Sequence, residues 1–141
     1  MLILQNDLIE ILHSHAQKEY PRECCGILMG KRLDQHRLAS NVIQTENRKE
    51  ENSQTTRFQI HPLEIFKAEE EGEREDLEIV GFYHSHPDYE AVPSLEDSYH
   101  MITGYSYLIL SVKNGLCVNM NSYEKITQMD TGAEEILVKE K

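Results

Sequence analysis

Basic side chains are scarce in this chain: 14 Lys and Arg stand against 25 Asp and Glu, a formal net charge of −11 over 141 residues. Nucleic-acid binding needs Lys and Arg clustered on phosphates, so this balance argues against it. It identifies no partner and mainly favours solubility. Long apolar runs are also missing, and no stretch approaches the roughly 20 residues of a membrane span. The opening Met1-Leu2-Ile3-Leu4 has no basic flank and is too short for a signal-peptide core. A cytoplasmic location is therefore expected. Cysteine is sparse, with Cys24, Cys25 and Cys117 alone. Three thiols suit a reduced protein better than a disulfide frame, and buried small residues are the plain expectation for all of them. Cys24 and Cys25, adjacent on a strand, face opposite sides and cannot chelate one ion together. Repeats and low-complexity blocks are absent.

What remains is ordinary for a soluble globular protein: 39% apolar and 28% charged residues. A length of 141 residues suggests one domain, 1–141, with room for a real core. The pattern predicts a helix from Asn6 to Glu19, closed by Tyr20-Pro21. Cys24 to Gly30 reads as a central strand and His36 to Ile43 as its return. Gln44 to Thr56 reads as a long polar loop, and Arg57 to Ile60 as a short strand. Pro62 opens a second helix to about Glu71. Leu77 to Tyr83 is a strand, and Ser94 opens a third helix to about Ile102. Tyr105 to Val112 and Leu116 to Tyr123 flank Asn114-Gly115, a strong hairpin signal. Glu135 to Val138 adds an edge strand. The fold class expected is mixed α/β (α+β): a largely antiparallel sheet flanked by helices.

The chemistry concentrates in the segment from Gly81 to Asp97. His84 and His86 follow the apolar run directly, and on a strand residues i and i+2 share a face. Both imidazoles then reach one point in space. Zinc takes nitrogen and carboxylate ligands in a tetrahedron, and a catalytic zinc keeps one position for water. His84, His86 and Asp97 supply three ligands and leave that position open.

The chain carries its own control, because His13-Ser14-His15 repeats the tripeptide in a different setting. Leu8, Ile9, Ile11 and Leu12 recur at helical spacing around it, with Asn6 or Asp7 as N-cap. On a helix, positions i and i+2 lie about 200° apart and do not converge. The first tripeptide is expected to be solvated helix surface. Ser94-Leu95-Glu96-Asp97 has a second explanation as a capping box, and a cap leaves Asp97 free to turn toward a metal. A hydrolytic metal site also needs a base, and a carboxylate suits the task. From the residues alone, Glu19, Glu23 and Glu90 compete for that role.

The segment resembles the JAMM, or MPN+, metallopeptidase family. That family carries His-x-His-Pro followed by Ser-x-x-Asp, matched here by His84, His86, Pro87, Ser94 and Asp97. Its upstream glutamate sits in a Pro-x-Glu-x-x-Gly context before a strand, matched by Pro21-Arg22-Glu23-Cys24-Cys25-Gly26. The resemblance selects Glu23 over its rivals, and it extends over nearly the whole chain in the order of elements. Within the family, the brevity of the chain and the loop ending Ala91-Val92-Pro93-Ser94 look most like small stand-alone prokaryotic members. Those act on ubiquitin-like sulfur-carrier proteins, cutting after a diglycine.

The resemblance implies a JAMM/MPN (cytidine deaminase-like) fold and a zinc-dependent peptidase or isopeptidase. His84, His86 and Asp97 are its expected Zn²⁺ ligands, Glu23 its proton carrier and Ser94 its oxyanion donor. The expected partner is a ubiquitin-like sulfur carrier with a diglycine tail, and the loop 44–56 is a candidate channel wall. Three rivals stand beside this reading. A zinc deaminase has a similar layout, but its His-x-Glu and Pro-Cys-x-x-Cys signals are missing. A non-enzymatic binding scaffold would better suit a broken ligand set. A peptidase of the same chemistry with other modifiers or peptides as targets differs only in substrate.

Overall fold

The computed structural model describes residues 1–47, 60–128 and 130–140. Among these residues the eight strands are β1 (Leu2–Gln5), β2 (Cys25–Leu33), β3 (His36–Thr45), β4 (Glu78–Pro87), β5 (Ser106–Lys113), β6 (Leu116–Lys125), β7 (Thr131–Glu134) and β8 (Ile136–Lys139). Three helices accompany them among the described residues: α1 (Asp7–Glu19), α2 (Pro62–Glu75) and α3 (Leu95–His100). One sheet takes all eight strands in the order β7-β6-β5-β4-β2-β3-β1-β8. The pairs β2/β3, β2/β4, β5/β6 and β6/β7 are antiparallel, while β1/β3, β1/β8 and β4/β5 are parallel. The expected mixed sheet is therefore present, with more parallel pairing than the hairpin signals alone suggest.

The two ends of this sheet are neighbours in the chain, since Glu135 alone separates β7 from β8. The sheet must coil until its edges come together, as twisted sheets of many strands tend to do. Side chains bridge the closure. Arg37 on β3 reaches Glu124 on β6 at 3.3 Å and Glu134 on β7 at 3.6 Å. The Met1 amino group lies 3.3 Å from Glu134 Oε1, while Ser122 Oγ holds that carboxylate within the β6/β7 pair at 2.8 Å.

Each sheet face has its own core. Leu8, Leu12 and Ala16 of α1 pack with Leu2, Leu4, Leu28, Ala39, Leu108 and Leu110. Ala68 of α2 packs on the other side with Ile27, Met29 and Ile79, joined by Ile65 and Phe82. His61 caps α2, its Nδ1 accepting from Leu63 N at 3.0 Å, and Pro62 follows at the first turn. Asp76, left-handed at φ 58°, closes the helix through its N–H to Gly72 O, so α2 ends at Glu75, four residues beyond the expected Glu71.

Other boundaries also move. β1 was not expected; its Leu2 and Leu4 are fully buried, and β3 and β8 complete its hydrogen bonds. β3 continues through Gln44 and Thr45, which the sequence pattern gives to a loop. The remainder of that loop, 48–56, and the short strand expected at Arg57 lie outside the described residues, where only Ile60 of that strand is seen. β4 runs past Tyr83 to Pro87, because pairing with β5 continues as far as Pro87 opposite Val112. α3 stops at His100, since Met101 is extended. The edge strand expected at Glu135 to Val138 is β8, and β7, which precedes it, was not expected.

Candidate metal centre

Strand alternation builds the centre. From Gly81 onward β4 keeps regular register with β2 and β5, so Phe82, His84 and His86 share one face while Tyr83 and Ser85 share the other. Phe82 packs with the α2 cluster and Tyr83 with the α1 cluster, which fixes the two faces independently. His84 and His86 are 2% and 0% exposed. Their Nε2 atoms lie 3.1 Å apart.

Asp97 completes the trio from α3. Its Oδ2 is 3.1 Å from His84 Nε2 and 3.0 Å from His86 Nε2. Ser94 and Asp97 do form a capping box: Asp97 N donates to Ser94 Oγ at 3.0 Å, and Ser94 N donates to Asp97 Oδ2 at 2.9 Å. The capping box therefore leaves Asp97 Oδ2 directed at the histidine pair. The oxygen that accepts from the helix cap is the one facing both imidazoles.

The tautomer of His86 follows from its other nitrogen. Nδ1 lies 2.8 Å from the carbonyl oxygen of Glu90, which can only accept, so the hydrogen sits on Nδ1. In neutral His86 the Nε2 lone pair then points at His84 and Asp97. Burial lowers the His84 pKa, against the opposing pull of Asp97, and so favours the neutral ring. Burial acts to raise Asp97, but the imidazole contacts and Ser94 N–H outweigh it and hold the carboxyl below its usual range. With the His86 hydrogen on Nδ1, His86 Nε2 and Asp97 Oδ2 are both acceptors 3.0 Å apart, an arrangement that a cation between them relieves. Tetrahedral bonds of roughly 2.0 Å set ligand atoms about 3.3 Å apart, close to the spacing seen here. The donor set fits a small tetrahedral cation.

Glu23 approaches from the start of β2. One of its carboxylate oxygens and one ring nitrogen from each of His84 and His86 lie within 4.8 Å of one another. The side chain is 2% exposed, and Oε2 has no hydrogen-bond partner among the described residues. Burial, with Asp97 and then Glu96, pushes its pKa up to about 9. Asn47 Nδ2 holds the backbone by donating to Glu23 O at 3.1 Å. The rivals lie elsewhere. Glu19 pairs with Arg22 at 3.9 Å, and the exposed Glu90 contributes its carbonyl rather than its carboxylate.

The first His-Ser-His requires a correction. Its histidines do diverge, but His15 is buried rather than solvated, and its Nδ1 lies 2.8 Å from Tyr83 Oη. Burial lowers its pKa. The helix turns this ring toward the core, where a tyrosine 68 positions away satisfies it. Cys24 and Cys25 are buried free thiols as expected, each pushed up to about 12 by burial, and Cys117 is partly exposed. Two contacts of the site were not foreseen: the Glu90 carbonyl, and the Tyr89 ring stacked on His86 at 4.2 Å. Neither has a spacing signature, since a backbone atom and a loop ring act through position alone.

No helix among the described residues is long and apolar enough to cross a membrane. A sequence profile described as prokaryotic homologs of the JAB domain matches residues 5–124. A desampylase of Pyrococcus furiosus is 35% identical over 75 residues, covering 53% of this chain and 49% of that protein. A probable TtuB-protein conjugate cleaving protease of Thermus thermophilus is 33% identical over 97 residues, covering 69% and 61%. The chain thus spans half to three fifths of the length of these curated relatives. The solution structure of a protein from Desulfitobacterium hafniense superposes with a TM-score of 0.87 at 29% identity, covering 100% of this chain and 94% of that one.

Proposed function

Because this chain belongs to the family of prokaryotic homologs of the JAB domain, we propose that it is a zinc-dependent peptidase or isopeptidase. Its substrate is a ubiquitin-like, sulfur-carrier protein, cut after a C-terminal diglycine. Residues 1–141 act as one catalytic domain. The observation that carries this reading is the meeting of His84 Nε2, His86 Nε2 and Asp97 Oδ2 within 3.1 Å, beside the unpartnered Glu23 Oε2.

His84, His86 and Asp97 hold the metal. Zinc supplies Lewis acidity when bound and makes water a usable nucleophile near neutral pH. Glu23 Oε2 takes a proton from the attacking water and returns it to the leaving amine. A carboxyl pushed up to about 9 without metal binds protons readily, and a neighbouring cation brings it back toward the working range. Ser94 Oγ accepts from Asp97 N, which directs its own hydrogen away from the helix and toward a developing oxyanion. The names of the relatives support cleavage of ubiquitin-like protein conjugates. A diglycine tail is the form of substrate that passes a narrow channel extended, with no side chains to exclude.

Elemental analysis of untagged protein tests the metal assignment. About one zinc per chain is expected, lost in the His84→Ala, His86→Ala double variant. Zinc retained undiminished in that variant would sink the assignment.

A further inference from the structure

We propose that Tyr89 and Ser111 are positioning residues for the His86 imidazole, an inference that rests on the metal-site reading above. The Tyr89 ring lies over His86 with centroids 4.2 Å and planes 19° apart. A ring on a loose loop would be a poor clamp, but this loop is tied at every residue from 88 to 91. Ser111 on β5 is the register partner of His86 on β4, and it is 2% exposed. Its hydroxyl donates to the Tyr89 carbonyl at 2.6 Å. Three links close a triangle: strand pairing joins His86 to Ser111, the hydroxyl joins Ser111 to Tyr89, and stacking joins Tyr89 to His86.

Further bonds pin the loop on both sides. Asp88 N donates to Val112 O at 2.6 Å, and the Asp88 carboxylate accepts from Tyr20 Oη at 2.6 Å and Asn114 N at 3.0 Å. Ala91 O accepts from Asn121 Nδ2 at 3.2 Å and Tyr123 Oη at 2.7 Å. The two contacts on His86 do different work. The Glu90 carbonyl fixes the tautomer and the in-plane direction of the ring, but the ring can still tip about the Nδ1···O line. Stacking removes that tilt. The buried Ser111 hydroxyl has no place in the proton chemistry; its work is to hold the loop that carries the stacking ring.

Zinc affinity, read by competition with a chromophoric chelator, tests this without reference to turnover. The variants are Tyr89→Ala, Tyr89→Phe, Ser111→Ala and the Tyr89→Ala, Ser111→Ala pair, each checked metal-free by circular dichroism. Tyr89→Ala should weaken zinc binding about tenfold or more, as loss of a ligand's support does elsewhere, while Tyr89→Phe should restore it to within about twofold. Ser111→Ala should weaken it less, and the pair should be no worse than Tyr89→Ala alone, because both act through one ring. The cobalt-substituted visible spectrum should shift in Tyr89→Ala and not in Tyr89→Phe. If Tyr89→Ala proves unfolded, the loss in Ser111→Ala decides. Wild-type affinity in Tyr89→Ala, equal losses in the Ala and Phe variants, or additive losses in the pair would each overturn the proposal. Those outcomes leave the metal reading standing, whereas a wild-type chain that binds no zinc ends both.

Discussion

Gly26 and Tyr83 occupy one space: a Cβ built on Gly26 would overlap the phenol ring of its register partner across β2 and β4. That ring reaches through to His15 of α1, so the absent side chain lets a helix, two strands and the residue before His84 lock together. Gly26→Ala should therefore be destabilising although alanine is otherwise preferred to glycine in a strand interior. The ring must move, the His15 contact stretches, and overpacking of this kind costs roughly 1–3 kcal/mol. Thermal melting of the metal-free chain checks it; a melting temperature equal to wild type would show that Tyr83 has room to retreat.

Glu23 makes metal-free stability depend on pH in an unusual direction. Its carboxyl rises from an ordinary 4.5 to about 9 on folding. Between those values the folded chain binds the proton more tightly than the unfolded chain, so the stabilisation it represents is present at low pH and lost as pH rises toward 9. Glu23→Gln removes the titration while keeping the shape. With chelator present, the melting temperature of Glu23→Gln minus that of wild type should grow from pH 5 to pH 9. A difference that stays flat would mean Glu23 is ionised in the empty site. With zinc bound, Glu23→Gln should keep metal and fold but lose most turnover; full activity would return the role of base to Glu19 or Glu90.

Ser94→Ala separates capping from chemistry. The Asp97 carboxylate is held by the Ser94 backbone N–H, which alanine keeps, so zinc should remain. The cap loses one acceptor, a cost of about 1 kcal/mol. The oxyanion loses a donor, and kcat should fall roughly 10²-fold or more. Stability and kcat measured on one preparation decide: a large drop in melting temperature with little loss of rate would leave Ser94 as a cap alone.

The meeting of His84, His86 and Asp97 was legible because strand period and motif spacing are local. His84 and His86 need only the knowledge that β4 is a strand, and Asp97 needs only a short helix started by Ser94. Glu23 was a harder inference. Its place beside the histidines depends on β2 pairing with β4, where Cys25 sits opposite His84, and residue types alone do not distinguish it from Glu19. The burial of His15 was missed because its partner Tyr83 is remote in sequence. The four residues of β1 are too few to show a period, and their strand character comes from β3 and β8 on either side. Coiling of the sheet, with β7 and β8 one residue apart at opposite ends, is a global closure that no local pattern encodes.

Cleavage after Gly-Gly in a ubiquitin-like carrier with extra C-terminal residues is the expected reaction. Glu23, His84 and His86 are almost wholly buried, so the scissile carbonyl must be carried in by a thin, flexible segment. A diglycine tail meets that need: it extends without side chains and can approach the buried atoms closely. Mass spectrometry of the carrier before and after incubation should show the extension removed and the diglycine end intact. A chelator should stop the reaction and added zinc restore it. Replacing the penultimate glycine with a bulky residue should slow cleavage strongly if the proposed narrow channel admits only an unbranched backbone. Equal cleavage of that variant, or of unrelated unfolded peptides, would reject diglycine selectivity and leave a general zinc peptidase.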